Sequence, residues 1–188
     1  MTVYIFDMGG VVAFNTDVFP DVFAYLGITG EQFLTFAGQN LEKLMTGKVT
    51  ADEFWRSFSN RYGKNVEEEL FAKFFSPAID QGVIDIIKQI KNDSRVVCGT
   101  NVFDSHYDYL MHRGNYDIFD AIFASNKIGL AKPHPDFYRY ILDKEGIKPE
   151  DAIFVDDFEE NVAAAKKLGI TSILFTDSQS LRQQIKGL

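Results

Sequence analysis

Short apolar runs recur along the chain, and they lack the strict alternation of polar and apolar positions that marks a half-exposed strand. Each run is bounded by polar residues or glycine. Such continuous hydrophobicity is typical of parallel strands that are covered on both faces of the sheet. The predicted strands are residues 3–6, 95–98, 152–155 and 172–175, with a weaker one at 121–124.

Helical periodicity fills much of the chain between these runs. In residues 80–91, apolar side chains recur at the three- and four-residue spacing of one helical face. Further helices are predicted at 104–112, at 135–145 with Pro135 in the first position, and at 159–168. Strands that alternate with helices indicate an α/β fold with a doubly wound, Rossmann-like parallel sheet.

One connection is far longer than a crossover helix requires, because the residues between the first strand and the next strongly apolar run read as helices throughout. Thr50 and Glu53 have the spacing of a helix capping box. We therefore predict a helical cap, residues 15–78, inserted after the first strand into a core of residues 1–14 and 79–188. The helices expected in this cap are 17–26, 29–37, 40–45, 50–61 and 66–74.

Composition narrows the class of protein. The 188 residues are 46% hydrophobic and 24% charged, which suits one compact unit with a sizeable core. With 19 basic and 27 acidic residues the net charge is -8, so neither nucleic acid nor an anionic membrane is an expected partner. The single cysteine, Cys98, allows no internal disulfide, and no run resembles a signal peptide or membrane span. We expect a cytoplasmic monomer or homodimer.

Side chains that can bind a ligand or take part in catalysis follow several of the predicted strands. In an open parallel sheet, ligands bind outside the carboxyl ends of the strands, so these residues are expected to meet at one edge. They include carboxylates, a lysine in a proline-stiffened loop, a hydroxyl and an amide. In chain order they are Asp7 followed by Gly9 and Gly10, then Thr100 and Asn101, Lys132, and the pair Asp156 and Asp157.

This set of residue types predicts metal-assisted phosphoryl transfer. Three carboxylates in close quarters repel one another, and a hard divalent cation with oxygen ligands, Mg²⁺, relieves the repulsion. With Mg²⁺ and Lys132 neutralising a phosphate, Asp7 can attack phosphorus in line and form an aspartyl-phosphate. The backbone amides of the turn 8–10, together with Thr100, are expected to hold the phosphoryl oxygens.

The order Asp7, Thr100, Lys132-Pro133 and Asp156-Asp157 resembles the haloacid dehalogenase-like superfamily of hydrolases, and the helical insertion resembles its type I cap. The resemblance covers essentially the whole chain and implies a phosphatase acting on a small phosphorylated metabolite, with Asp7 as the nucleophile. It also implies the remaining roles. The phosphate is held by Met8, Gly9, Thr100, Asn101 and Lys132, the Mg²⁺ by Asp7, Asp157 and the Gly9 carbonyl, with Asp156 and Asn161 as supports.

The segment 47–50, Gly-Lys-Val-Thr, further resembles a subgroup that contains sugar-phosphate phosphatases such as α-glucose-1-phosphate phosphatase and the phosphatase domain of soluble epoxide hydrolases. A sugar phosphate is therefore one expected substrate. The three histidines show no metal-ligand spacing, and we expect loop or surface positions for His106, His112 and His134.

One position departs from the family pattern. The usual phosphatase has a second aspartate, its general acid and base, where this chain has Gly9. Asp17 is a candidate replacement, although it also suits the cap of the first helix in the insertion.

Two alternative functions remain open. One is a 2-haloacid dehalogenase, although no lysine, arginine or histidine precedes Lys43 to receive a halide, and the other is a weakly catalytic phosphate-binding protein.

Overall fold

A computed structural model of the chain describes residues 2–187, apart from the side chain at position 39. The strands are β1 (Val3–Phe6), β2 (Ala13–Phe14), β3 (Ala78–Ile79), β4 (Arg95–Thr100), β5 (Ala121–Ala124), β6 (Ala152–Asp156) and β7 (Thr171–Leu174). The helices are α1 (Phe19–Leu26), α2 (Gly30–Met45), α3 (Ala51–Tyr62), α4 (Leu70–Phe74), α5 (Gln81–Ile90), α6 (Asp104–His112), α7 (Ser125–Ile128), α8 (Pro135–Glu145), α9 (Glu159–Lys167) and α10 (Ser178–Lys186), with a 3-10 turn at Pro149–Asp151.

The main sheet has the strand order β5-β4-β1-β6-β7, and every pairing in it is parallel. Neighbouring residues of β1 pack into different cores, because Ile5 belongs to the hydrophobic cluster on one face and Phe6 to the cluster on the other. Burial on both faces explains the continuous apolar runs and confirms the predicted doubly wound α/β fold. The central place of β1, between β4 and β6, sets its carboxyl end at the point where the strand order reverses.

The helices α1 to α4 form one segment between β2 and β3, which we call the helical insertion. Its centre is aromatic: the ring of Phe33 contacts those of Phe19, Phe23, Phe54, Trp55, Phe58 and Phe71. The capping box at Thr50 and Glu53 is present, and it begins α3. Packing of these rings gives the insertion a core of its own.

Two parts of the insertion can be compared with the predicted helices. The helices expected at 29–37 and 40–45 both lie in α2, and a non-helical backbone at Gly38 (φ 26°, ψ -121°) separates them, which agrees with the predicted break. The helix expected at 66–74 begins only at Leu70, where the Glu69 side chain accepts a hydrogen bond from the Ala72 amide.

A short antiparallel ribbon connects the insertion to the sheet, and it was not predicted. Ala13 of β2 pairs with Ile79 of β3, and Phe14 pairs with Ala78. The Asp80 amide also donates to the Val12 carbonyl at 2.9 Å. The expectation of helices throughout this connection is therefore wrong at both of its ends. Strands of two residues are too short to produce a periodic pattern.

Candidate active site

Asp7 follows β1 directly and lies at the centre of the sheet edge. Thr100 ends β4 on one side of it, and Asp156 ends β6 on the other. All three side chains are buried, as is that of Lys132, which comes from the loop before α8. The predicted strand-end residues are thus brought to one place by the parallel sheet.

Lys132 joins two of the carboxylates. Its Nζ atom lies 2.8 Å from Asp7 Oδ2 and 2.7 Å from Asp156 Oδ2. Burial by itself would lower the pKa of Lys132, but the negative charges of Asp7 and Asp156 outweigh burial and raise it. The lysine is therefore a permanent positive charge at the floor of the site.

Burial has the opposite consequence for the carboxyl groups. Removal from water raises the pKa of Asp7 to about 7, and the charge of Asp156 adds to the rise, although Lys132 acts against both. Burial and the charge of Asp156 also raise the pKa of Asp157. Three carboxylates near a single ammonium leave an excess of negative charge in the site.

Asp156 has its oxygens occupied within the protein. Its Oδ1 accepts from the Phe158 amide at 2.8 Å and from Asn161 Nδ2 at 2.9 Å, while its Oδ2 accepts from Lys132. Asp156 therefore holds Lys132 in place, and Asn161 holds Asp156. Oxygens that already accept these bonds are poorly placed to bind a ligand.

A possible metal site lies between the other two carboxylates. Carboxylate oxygens of Asp7, Asp156 and Asp157 lie within 4.8 Å of one another. Asp157 Oδ1 is buried and has no hydrogen-bond partner among the described residues. A buried, unsatisfied carboxylate oxygen is costly, and a divalent cation between Asp7 and Asp157 would satisfy it. The residues present therefore fit Mg²⁺.

Gly10 makes room for this arrangement. Its backbone has φ +76°, and a Cβ atom built there would lie 2.1 Å from Asp157 Oδ2. Gly9 is different, because a Cβ atom there would meet only Thr16, whose Oγ1 lies at 3.4 Å. A side chain would therefore fit at Gly9, whereas a side chain at Gly10 would displace Asp157.

Two amides of the turn after β1 are engaged within the protein. The Met8 amide donates to Asp7 Oδ1 at 2.7 Å, and the Gly10 amide donates to the Ala13 carbonyl at 2.7 Å. Met8 thus orients the Asp7 carboxylate through its amide, and the phosphate-binding role of this turn stays a prediction.

The Asn101 side chain binds the backbone of Lys132. Its Nδ2 donates to the Lys132 carbonyl at 2.8 Å, and its Oδ1 accepts from the Lys132 amide at 2.9 Å. Both polar atoms of the side chain therefore position the lysine loop, and its role as a phosphate ligand stays a prediction. The Thr100 hydroxyl donates a long hydrogen bond, 3.5 Å, to the Asn101 carbonyl.

A cavity of about 520 Å³ opens beside Asp7. It is lined by the site residues and by others that the sequence did not single out, among them Met45, Phe75 and His106. His106 is buried, so the expectation of a loop or surface position is wrong for this histidine. The end of α2 is fixed over the site by Ser125, whose Oγ donates to the Met45 carbonyl at 2.6 Å.

Asp17, the candidate replacement for the missing acid, is exposed and lies at the edge of this cavity. Its Oδ1 accepts from the Phe19 amide at 3.0 Å, so it caps the start of α1.

Among residues 2–187, no helix is long and apolar enough to cross a membrane.

The profile of the haloacid dehalogenase-like hydrolases matches residues 1–169. The sesquiterpene phosphatase astK of Aspergillus oryzae is 29% identical over 98% of this chain and 94% of its own length. The D-ribitol-5-phosphate phosphatase of Bacteroides thetaiotaomicron is 24% identical over 96% of the chain and 95% of its length. Drimenol cyclase drtB of Aspergillus calidoustus is 30% identical over 76% of the chain, which spans only 28% of the cyclase.

A solved structure shares the fold. It is a haloacid dehalogenase family enzyme from Bacteroides thetaiotaomicron in complex with magnesium and inorganic phosphate. The likeness has a TM-score of 0.75 at 21% identity, and it covers 96% of this chain and 98% of that one.

Proposed function

The chain belongs to the haloacid dehalogenase-like hydrolases, and from this premise we propose that it is a Mg²⁺-dependent phosphatase of a small phosphorylated metabolite. The observation that carries the proposal is the buried set at the end of β1. Asp7 faces a cavity, and the Lys132 ammonium lies 2.8 Å from Asp7 Oδ2. Asp157, in the same cavity lining, has an unsatisfied oxygen. A nucleophile, a fixed cation and a metal position are what phosphoryl transfer from a monoester requires.

The residues suggest a two-step reaction. A carboxylate oxygen of Asp7 attacks phosphorus, an Asp7–phosphorus bond forms, and the alcohol leaves with the electron pair of the broken ester bond and takes a proton from water. Water then attacks the aspartyl-phosphate, which releases inorganic phosphate and restores the carboxylate. Lys132 stabilises the charge on the phosphoryl oxygens in both steps, and the Thr100 hydroxyl donates to them.

Asp7, Asp157 and the Gly9 carbonyl would hold Mg²⁺. When bound, it would supply positive charge that offsets the charges of the carboxylates and the phosphate. Asp156 is excluded from this ligand set because its oxygens hold Lys132, Phe158 and Asn161.

The helical insertion is proposed to act as the cap, residues 15–78, over a core made of residues 1–14 and 79–188. Its residues Val18, Phe19 and Met45 line the cavity beside Asp7. Movement of the insertion would admit the substrate and then exclude bulk water from the aspartyl-phosphate.

The single buried Cys98 suits a reducing compartment, and we propose the cytoplasm.

The names of the full-length relatives, a sesquiterpene phosphatase and a D-ribitol-5-phosphate phosphatase, support a phosphate monoester as the substrate class. They differ in the alcohol that carries the phosphate. Because Gly9 provides no acid for the leaving oxygen, the chemical step should be slower for alkyl phosphates than for aryl phosphates.

Hydrolysis of para-nitrophenyl phosphate tests the proposal, with and without Mg²⁺, in the wild type and in Asp7→Asn. We expect turnover that EDTA abolishes and that Asp7→Asn lowers by at least a thousandfold. Asp17→Asn is the matched control at the cavity edge, and its turnover should stay within about threefold of the wild type. Full activity in Asp7→Asn, or in EDTA, would contradict the mechanism.

The two alternative functions give different results in the same assay. A weakly catalytic binding protein would release no phosphate, yet it would bind vanadate in a Mg²⁺-dependent way. A 2-haloacid dehalogenase would release chloride from 2-chloropropionate without metal. The excess of carboxylates around Asp7 disfavours the latter, because an unneutralised cluster repels an anionic acid.

A further inference from the structure

The cavity beside Asp7 is lined by charged and by apolar side chains. The charged ones include Asp7, Lys132 and Asp157, where the phosphate is bound in the proposed function. The volume of about 520 Å³ lies in the range of pockets that hold whole small molecules, roughly 300 to 1,000 Å³. Most of the cavity is therefore left for the alcohol that carries the phosphate.

Aromatic and aliphatic side chains form the walls around this remaining space. They come from three parts of the fold: the helical insertion and its return to the sheet, the loop and helix after β4, and the residue before α9. Among them are Phe19, Met45, Phe75, Phe103, Leu110 and Phe158.

His106 belongs to the apolar wall in spite of its imidazole. Its ring stacks on that of Phe75 with centroids 3.7 Å apart. Its Nε2 bonds to the Phe71 carbonyl at 3.0 Å, and burial lowers its pKa to about 4, so the ring is neutral at physiological pH. It adds no charge that would attract a second anionic group.

The charges of the cavity also limit the substrate. Of the described residues that line it, Lys132 alone has a permanent positive charge, and the proposed function assigns that charge to the phosphate. Asp17 and Glu160 place further negative charge around the opening. A second phosphate or a carboxylate on the substrate would therefore be repelled.

Polar groups for sugar hydroxyls are scarce. The side-chain amide of Asn101 is engaged with the Lys132 backbone, and Nδ2 of Asn161 donates to Asp156. The polar side chains that remain are the hydroxyls of Thr16 and Tyr116 and the exposed carboxylates of Asp17 and Glu160. A polyol bound here would leave most of its hydroxyls unpaired against apolar walls, at a cost for each of them.

We propose that the natural substrate is the phosphate monoester of an apolar alcohol of medium chain length, an inference that rests on the proposed phosphatase function. The alkyl portion lies against Phe75, Phe103 and Leu110, and the phosphate meets Lys132. Burial of each methylene then contributes to binding of the transition state.

A chain-length series tests this substrate class. Primary n-alkyl phosphates from butyl to decyl, used below their micelle-forming concentrations, share one leaving group, so differences among them report on the alkyl pocket. We expect kcat/KM to rise by about two- to fourfold per methylene until the cavity is filled. Glucose 1-phosphate and ribitol 5-phosphate should have at least tenfold lower values than decyl phosphate. A flat series, with the sugar phosphates hydrolysed faster, would overturn the inference.

Phe158→Ser provides a variant that is expected to fold, because this side chain is 63% exposed. It should lower kcat/KM for decyl phosphate by about tenfold more than kcat/KM for butyl phosphate. Phe14→Ser is the matched control, since Phe14 is also exposed, at 45%, and does not line the cavity. Equal losses in the two variants would count against the alkyl pocket.

Binding of decylphosphonate, which cannot be hydrolysed, separates this inference from the proposed function. Calorimetry should give an affinity at least tenfold higher than that for butylphosphonate, lost in Phe158→Ser. If para-nitrophenyl phosphate is not hydrolysed, the proposed function fails. If it is hydrolysed but both phosphonates bind equally, only the substrate class fails.

Discussion

Lys132 and Asp156 form an ion pair, 2.7 Å from Nζ to Oδ2, in which 1% or less of either side chain is exposed. Asp156→Asn removes the charge but keeps the shape, so it leaves a buried ammonium with Asp7 as its one remaining carboxylate partner. We expect the free energy of unfolding in urea to fall by about 3 kcal/mol.

The control for this variant is Asp136→Asn, which breaks the pair between Asp136 and Arg139. These side chains are more than half exposed, and the change should cost under about 0.5 kcal/mol. Similar losses of unfolding free energy in the two variants would show that the buried pair contributes no more to stability than the exposed pair.

Gly10 and Gly146 separate backbone strain from displacement of Asp157. Both have a positive φ, +76° and +66°, so alanine is strained at either position. Only at Gly10 does the new Cβ meet Asp157, and at Gly146 nothing lies within 4 Å. We expect both variants to lose about 1 to 2 kcal/mol of stability. Gly10→Ala alone should lose over tenfold in Mg²⁺ affinity, measured by calorimetry, whereas equal affinities would refute the role of Gly10.

Mg²⁺ should stabilise the wild type against heat. A ligand that binds only the folded state adds about 2.7 kcal/mol at a hundred times its Kd, which corresponds to roughly 5 to 10 °C for a chain of this size. Thermal unfolding in EDTA and in MgCl₂ measures the shift, with KCl at equal ionic strength as the salt control. Asp157→Asn should reduce the shift to under about 2 °C, and an undiminished shift would place the metal elsewhere.

Gly9→Asp should supply the acid that the family pattern has at this position. The Cβ atom would lie 3.4 Å from Thr16 Oγ1, an ordinary contact, so the variant is expected to fold. Alkyl phosphates, which need a proton on the leaving oxygen, should gain at least tenfold in kcat, and para-nitrophenyl phosphate should gain little. Gly9→Asn has the same size without the acid, and a gain in that variant would point to another cause.

His106 should make stability depend on pH. Burial lowers its pKa from 6.5 to about 4, so between these values the unfolded chain binds a proton that the folded chain does not. Its contribution is complete above pH 6.5 and is lost as the pH falls towards 4, by about 2 to 3 kcal/mol at pH 4.5.

The measurement is urea unfolding of the wild type and His106→Gln at pH 7 and at pH 4.5. Glutamine can still donate to the Phe71 carbonyl, but it does not titrate. The acid loss of the wild type should exceed that of the variant by about 2 to 3 kcal/mol, because the carboxylates titrate alike in both. Parallel losses would contradict a buried neutral histidine.

The sequence predicted those parts of the fold that depend on local signals. The helices α6 and α8 have the predicted bounds, and α8 begins at Pro135 and ends before Gly146, whose left-handed backbone stops it. Asp7 and Asp156 could be placed together because both follow strands of one parallel sheet.

Other features depend on contacts that no local pattern records. The side-chain amide of Asn101 binds the backbone of Lys132, 31 residues away. His106 is buried by Phe75, which lies in a different part of the chain. A polar residue has many candidate partners in a folded protein, and its sequence neighbours do not select one.

The ribbon in which Ala13 pairs with Ile79 brings the chain's exit from the sheet and its return to within one strand spacing, about 5 Å. The helical insertion therefore occupies the position of a hairpin loop between β2 and β3. Its length adds little strain or closure entropy to the strands of the sheet. Other helical segments with the same end spacing can be grafted there while Asp7 keeps its place. Substrate preference can thus diverge by exchange of a whole segment, independently of the residues that perform the chemistry.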